Sequence, residues 1–390
     1  MNTVSRVIRN TGFLYMKMGS TMFVSLYTTR LVLHALGVDD FGIFGMVAGV
    51  LAMLAFLNAS MAAATQRFMS YAEGEGNREK QRIIFNISVV LHLAIALVVA
   101  ILLYAAAPFL FGHFLNIPEG RIFAARCVYW AMIASTVFSV LGVPYEAMLN
   151  AHENMLYFAV IGVLESFLKL GAALLVVHVL ADKLILYGVL MAGISILAMT
   201  AMLVYCHRNY AECVIAPLRY WKKGVFREMG SFACWNFTVS ASSMLSEYGV
   251  GIVLNHFFGV ALNAAQAVAQ QINGQTMAFS GTMLKALNPV ISKSEGAGNR
   301  RLMLRASLSG CKFAYLLMAV FAIPLILEAP GLLGLWLHSV PAWAVLFCRL
   351  QLARTLMEQL FLSLGSAIYA EGNIRLYTLV KTGSGILFLG

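Results

Sequence analysis

The chain has 390 residues, of which 61% are hydrophobic and only 11% charged, against about 25% charged in an ordinary soluble protein. With a mean hydropathy of +0.81 it carries too little charge to cover a water-facing globule, which excludes soluble domains, disordered chains, collagen-like repeats and coiled coils and leaves lipid as the main solvent. The net charge of +10 matches the Lys/Arg excess of cytoplasmic membrane loops and gives no reason to invoke nucleic acid.

Arg6 and Arg9 precede the first apolar stretch. That stretch is too long for a signal-peptide core and no small-residue cleavage site follows, so it reads as a first span with a cytoplasmic N-terminus. Ten stretches reach the roughly 20 apolar residues that a crossing needs: 12–34, 41–64, 83–107, 122–149, 155–180, 184–206, 229–254, 262–287, 306–329 and 343–368. An eleventh begins near residue 376. None shows the strict alternation of outer-membrane strands, so all read as helices, which satisfy their backbone polar groups internally. With the N-terminus inside, sixteen Lys and Arg fall in inner segments and two, Arg121 and Lys183, in outer loops, a strong orientation signal. Six scattered cysteines without a CxxC pair read as packing residues.

The chain repeats itself. A shift of 222 residues places Glu73-Gly74-Glu75-Gly76-Asn77-Arg78 on Glu295-Gly296-Ala297-Gly298-Asn299-Arg300. The same shift places Gly37 on Gly259, Met61 on Met283, Ser70 on Ser292, Pro108 on Pro330 and Leu115 on Leu337, with no gap. The unit is six helices, an even number, so both copies enter the bilayer from the same side: a parallel repeat of the kind found in transporters. The expected organisation is an N-terminal six-helix bundle over 1–206, a cytoplasmic linker over 207–228 and a C-terminal bundle over 229–390. By the same offset a complete second half would run to about residue 428, so the sequence reads as truncated within its fifth helix, with twelve or more spans in the intact protein.

The stretch Arg30-Leu31-Val32-Leu33-His34-Ala35-Leu36-Gly37-Val38-Asp39-Asp40-Phe41-Gly42 resembles the end of the first helix and the following loop in polysaccharide exporters (O-antigen/oligosaccharide flippases) of the multidrug/oligosaccharidyl-lipid/polysaccharide (MOP) superfamily. Ala64-Thr65-Gln66-Arg67-Phe68 with Gly74-Glu75-Gly76-Asn77 is similar to the exit of their second helix, and Asn263-Ala264-Ala265-Gln266-Ala267-Val268-Ala269-Gln270-Gln271-Ile272 to their eighth. The resemblance implies an all-α polytopic, MATE-like fold of two six-helix bundles around a cavity. It implies a flippase moving a polyprenyl-diphosphate-linked oligosaccharide across the bacterial inner membrane for surface polysaccharide, including lipopolysaccharide, assembly, or else a cation-coupled multidrug or metabolite antiporter of the MATE type.

Charges inside spans cost roughly 2.5–3.5 kcal/mol each by insertion scales, so they mark pairs, interfaces or wet cavities. Lys17 and Arg30 lie near opposite ends of the first span, where snorkelling competes with a cavity role. Glu165 and Lys169, and again Arg354 and Glu358, stand four residues apart on one helix face, either as self-neutralising pairs or as a charged cavity wall. Glu247 has no partner at helical spacing and suggests a proton or cation site, or a partner on another helix such as Lys17 or Lys169. Lys17, Arg30, Lys169 and Arg354 are the candidate substrate contacts, and Glu165, Glu247 and Glu358 the candidate sites for a coupling H+ or Na+. The modest basic excess favours a diphosphate headgroup over an organic cation. The sequence has no phosphate-binding GxxxxGK[ST], no HExxH and no GxSxG, so neither nucleotide hydrolysis, an enzymatic role, a metal nor a cofactor is expected.

Overall fold

The computed structural model describes residues 3–52, 55–114, 117–179, 182–258, 260–337 and 340–387. These are almost entirely helical, with no strand among them. The helices are α1 (Thr3–Ala52), α2 (Ala55–Gly74), α3 (Arg78–Phe109), α4 (Ile122–Ala151), α5 (Met155–His178), α6 (Lys183–Asn209), α7 (Lys223–Phe258), α8 (Val260–Gly296), α9 (Arg300–Leu327), α10 (Ala329–Trp336), α11 (Ala344–Gln359), α12 (Leu362–Glu371) and α13 (Arg375–Leu387).

Seven of the described helices, α1, α3, α4, α5, α6, α7 and α9, are long and apolar enough to cross a bilayer. Their outer faces show aliphatic and aromatic side chains such as Leu97, Ile101, Leu164 and Phe167, as a lipid-facing surface requires. The protein is an all-α polytopic membrane protein. Fewer helices qualify than the eleven spans expected, for physical reasons. Gly37 at φ 77 turns the chain within α1 between the spans expected over 12–34 and 41–64, a backbone angle strained for any residue with a Cβ, and the second of these spans is shared by the second leg of α1 and by α2. Helix α8 carries Asn263, Gln266, Gln270, Gln271, Asn273 and Gln275, and the span expected over 343–368 breaks into α11 and α12 after Gln359.

The internal repeat is built into the backbone. Helices α3 and α9 start 222 residues apart, as do α4 and α11. Gly76 and Gly298 both take positive φ, 67° and 70°, and the asparagine after each caps the next helix: Asn77 accepts from the Lys80 N–H and Asn299 from the Leu302 N–H, both at 3.0 Å. The cap supplies an acceptor to one of the orphan donors of the first turn.

The helices pack as two compact units: Gly12–Met69 with Asn77–Met229, and Met1–Thr11 with Ser70–Gly76 and Gly230–Gly390. In the first, Ile43 and Val47 of α1, Val99 and Leu103 of α3, Val128 and Tyr129 of α4 and Leu184 of α6 form one buried cluster. The segment expected as a linker is docked on this unit: Arg82 donates to the Ala211 carbonyl (3.2 Å), and Asn86 donates to the Val214 carbonyl (2.8 Å) and accepts from the Ala216 N–H (2.7 Å). In the second unit, Leu287, Ile291, Met303, Ala367 and Ala370 enclose a core against which Val7 packs. The two glycine-rich loops also meet here. A side chain at Gly74 would strike the Lys293 carbonyl, and one at Gly296 the Tyr71 carbonyl, the same contact made twice by the repeat. Lys293 and Glu73 close it with a 3.2 Å ion pair.

Candidate functional site

Within the first unit, α1 and α5 bring together several of the residues singled out by charge. Lys17 is half-buried on α1, its Nζ 3.7 Å from the centre of the Phe158 ring on α5. Its stem lies so close to Gly162 that any Cβ there would collide with it. One turn further along both helices, Ser166 Oγ sits 3.3 Å from Thr21 Oγ1 and 2.9 Å from the Gly162 carbonyl. A cation on an aromatic face is favoured most where water is excluded, so this contact holds an ammonium group inside the helical unit. Glu165 and Lys169 of α5 pair at 2.7 Å, each about a third exposed. Arg30 is exposed, further along α1.

In the second unit, Arg354 and Glu358 form a 2.8 Å pair on the exposed face of α11. Glu247 belongs to α7, and its side chain lies outside the described residues. The buried face of α11 is polar in another way: Thr355 donates to Asn273 Oδ1 of α8 at 2.7 Å, and Gln359 Nε2 reaches the Thr355 carbonyl and Met277 Sδ. Tyr369 of α12 donates to Asn236 of α7 at 2.8 Å.

Two clusters went unread in the sequence. Arg121, just before α4, binds both oxygens of Asp40 on the second leg of α1 and both of Asp182 at the start of α6, with Nε–Asp40 and Nη1–Asp182 each 2.7 Å. Burial works to raise the Asp182 carboxyl, but the Arg121 hydrogen bond, the helix N–H of Ile185 and the Arg121 charge outweigh it and hold the group below the usual carboxylate range. The second cluster is Thr65, Ser88 and His92, wholly buried between α2 and α3. Asp40 and Asp182 stand 81 and 61 residues from Arg121, so no local spacing announces them. The repeat itself did mark the second cluster, because it sets His92 opposite Ala314.

Residues 15–175 match the MatE family model. Comparison of the sequence with curated proteins gives no match. Among solved structures, the chain is similar to an outward-facing multidrug-resistance MATE transporter of the MOP superfamily, with TM-score 0.76 and 14% identity, covering 98% of this chain and 84% of that one. It is similar to MATE in complex with MaL6 at TM-score 0.74 and 15% identity, with the same 98% and 84% coverage. A MOP-superfamily transporter from Pyrococcus furiosus, described as having a binding pocket of reversed polarity that suggests a different function, aligns at TM-score 0.72 and 14% identity, again over 98% and 84%. Over 98% of its length the chain therefore has the fold of the MATE transporters of the MOP superfamily, and its residues 15–175 match the MatE family model.

Proposed function

We propose that the protein is a membrane transporter that moves an anionic amphipathic substrate, a polyprenyl-diphosphate-linked oligosaccharide, across the bacterial inner membrane by alternating access, with its N-terminus in the cytoplasm. The observation that carries this reading is the placement of Lys17, an ammonium held within the first unit against an aromatic face. The described mid-span carboxylates, Glu165 and Glu358, are each tied to a cation one turn away. A site for organic cations needs available carboxylates and aromatic faces, whereas Lys and Arg suit phosphate oxygens. Arg30, Lys169 and Arg354 are further candidate phosphate contacts. A coupling H+ or Na+ would use Glu165, Glu247 or Glu358. A binding pocket of reversed polarity, said to suggest a different function, is described for the structurally similar Pyrococcus furiosus protein.

The second reading, a cation-coupled multidrug or metabolite antiporter, is supported by the MatE match and by the multidrug-resistance transporter among the structural neighbours. Reconstitution in vesicles separates the two. The first reading predicts leaflet transfer of a fluorescent polyprenyl-diphosphate oligosaccharide, lost in Lys17→Ala, and no gradient-driven movement of ethidium. Ethidium transport without transfer of the lipid would establish the second.

A further inference from the structure

A polar chain crosses the α2–α3 contact inside the first unit. Thr65 Oγ1 lies 3.0 Å from Ser88 Oγ, which lies 3.2 Å from His92 Nδ1. That nitrogen is also 2.8 Å from the Ser88 carbonyl. A carbonyl only accepts, so Nδ1 carries the hydrogen and Nε2 holds the basic lone pair. Nε2 is buried and has no hydrogen-bond partner among the described residues. All three side chains are 0% exposed.

The repeat shows that the fold does not need this chain. In the second copy the same three positions are Leu287, Gly310 and Ala314, and the structure places Leu287 directly against Gly310, just as Thr65 meets Ser88. An ionisable group kept in the middle of an apolar span, where its own duplicate has alanine, marks a site with a task beyond packing.

The elements around the ring carry few ionisable groups along this stretch. His92 is the one ionisable residue of α3 between Arg82 and Tyr104. Helix α4 covers this stretch, since Phe85 touches Tyr145 and Tyr129 donates to the Leu103 carbonyl, and residues 130–144 contain no ionisable side chain. On α2 the nearest is Arg67, its guanidinium 4.5 Å from the Phe68 ring. His207 of α6 meets Phe85 two turns away. The second leg of α1, whose Val47 clusters with Val99, carries Asp39 and Asp40 near its start.

We propose that His92 Nε2 is a proton-binding site of the transport cycle, loaded when the α2–α3 contact is open to water and occluded in the conformation described here. This rests on the transporter reading. The proton passes from water to the Nε2 lone pair and gives an imidazolium, and no other bond is made or broken. The charged ring keeps its Nδ1–H on the Ser88 carbonyl and hydroxyl oxygens, and Ser88 turns its own O–H towards Thr65 Oγ1, so the chain presents acceptors to the cation. Ser88 and Thr65 are positioning residues for it.

The test is nitrogen-15 NMR of histidine-labelled protein in detergent between about pH 3 and 8, with His92→Asn to identify the signal, because asparagine still offers a donor to the Ser88 carbonyl but takes up no proton. The expected result is a His92 ring that titrates from neutral to imidazolium. Ser88→Ala or Thr65→Val should move its midpoint down by about half a unit or more, since acceptors that favour the charged form are removed. A ring that stays neutral throughout, or a midpoint unmoved in both variants, overturns the proposal. If His92→Asn does not fold, the other two variants keep the ring and still decide. Proton uptake is read from the ring, so a failure of the transporter reading would leave this measurement standing by itself.

Discussion

At the same point of the two repeats, α2 meets α3 through Thr65 and Ser88, and α8 meets α9 through Leu287 and Gly310. The two contacts share a helix frame that begins 222 residues apart and differ in chemistry. In the second copy a leucine fills the space of a missing side chain and Ser363 closes against it, a dry interlock of the kind that apolar and small residues give between membrane helices. In the first copy hydroxyls and an imidazole occupy the same place, and the hydrogen bonds among them offset the burial of every polar atom but His92 Nε2. A duplicated fold thus separates what the architecture requires, present in both halves, from what one half adds.

The largest effect should come from forcing the polar residue into the apolar copy. Ala314→His would bury an imidazole one turn beyond a tightly closed contact of Leu287, Gly310 and Ser363. Overpacking and an unsatisfied polar group together should cost about 3–5 kcal/mol, seen as loss of folded protein or a large fall in Tm in detergent. A milder Tm loss would mean that the second copy can be made polar as easily as the first.

The glycine crossing comes next, because it is shared by both copies. Gly74→Ala and Gly296→Ala each drive a Cβ into a backbone carbonyl, and each should cost about 1–3 kcal/mol. Gly45→Ala, with open space around its position, should be neutral or slightly stabilising. Equal thermal stability of all three variants would refute the close contact.

A smaller effect is expected at the Arg121 clamp, which belongs to the first unit. Arg121→Ala should cost on the order of 1 kcal/mol at neutral pH, as for partly exposed charge pairs. Asp182 is held below its ordinary value, so its share of stability is present above the unfolded carboxylate pKa, near ~3.9, and is lost as pH falls through the lower folded value. Melting followed from neutral to acid pH should show the gap between wild type and Arg121→Ala closing at the acid end. A gap that widens there would reverse the assignment. Least of all should change on breaking the exposed Arg354–Glu358 pair: Arg354→Ala should alter stability by less than about 0.5 kcal/mol, and any substrate effect it has would then report contact rather than folding.

Much of the fold could be read from hydropathy and from one offset, because lipid demands long apolar helices and a gapless repeat keeps its register. The bend at Gly37 falls in the gap between the spans read over 12–34 and 41–64, and the amides of α8 stand in the sequence itself; the break after Gln359 could not be read, since a hydropathy window averages it away. The site divides along similar lines. Glu165–Lys169 and Arg354–Glu358 are one helical turn apart, and the pairs form where spacing put them. The Phe158 ring under Lys17 and the aspartates around Arg121 are distant in sequence. Thr65 and Ser88 look like small packing residues until their partner helix is known. His92 differed from Ala314 in the repeat alignment all along, and that mismatch was the available signal.

The most direct measurement of the central claim is the rate of polyprenyl-diphosphate oligosaccharide transfer in vesicles, with and without an imposed pH gradient, for wild type and for Thr65→Leu/Ser88→Gly/His92→Ala, which makes the first contact a chemical copy of the second. The account predicts that wild type responds to the gradient, whereas the triple variant folds, still moves the lipid and runs at one rate in both conditions. A triple variant that responds to the gradient as wild type does would contradict it.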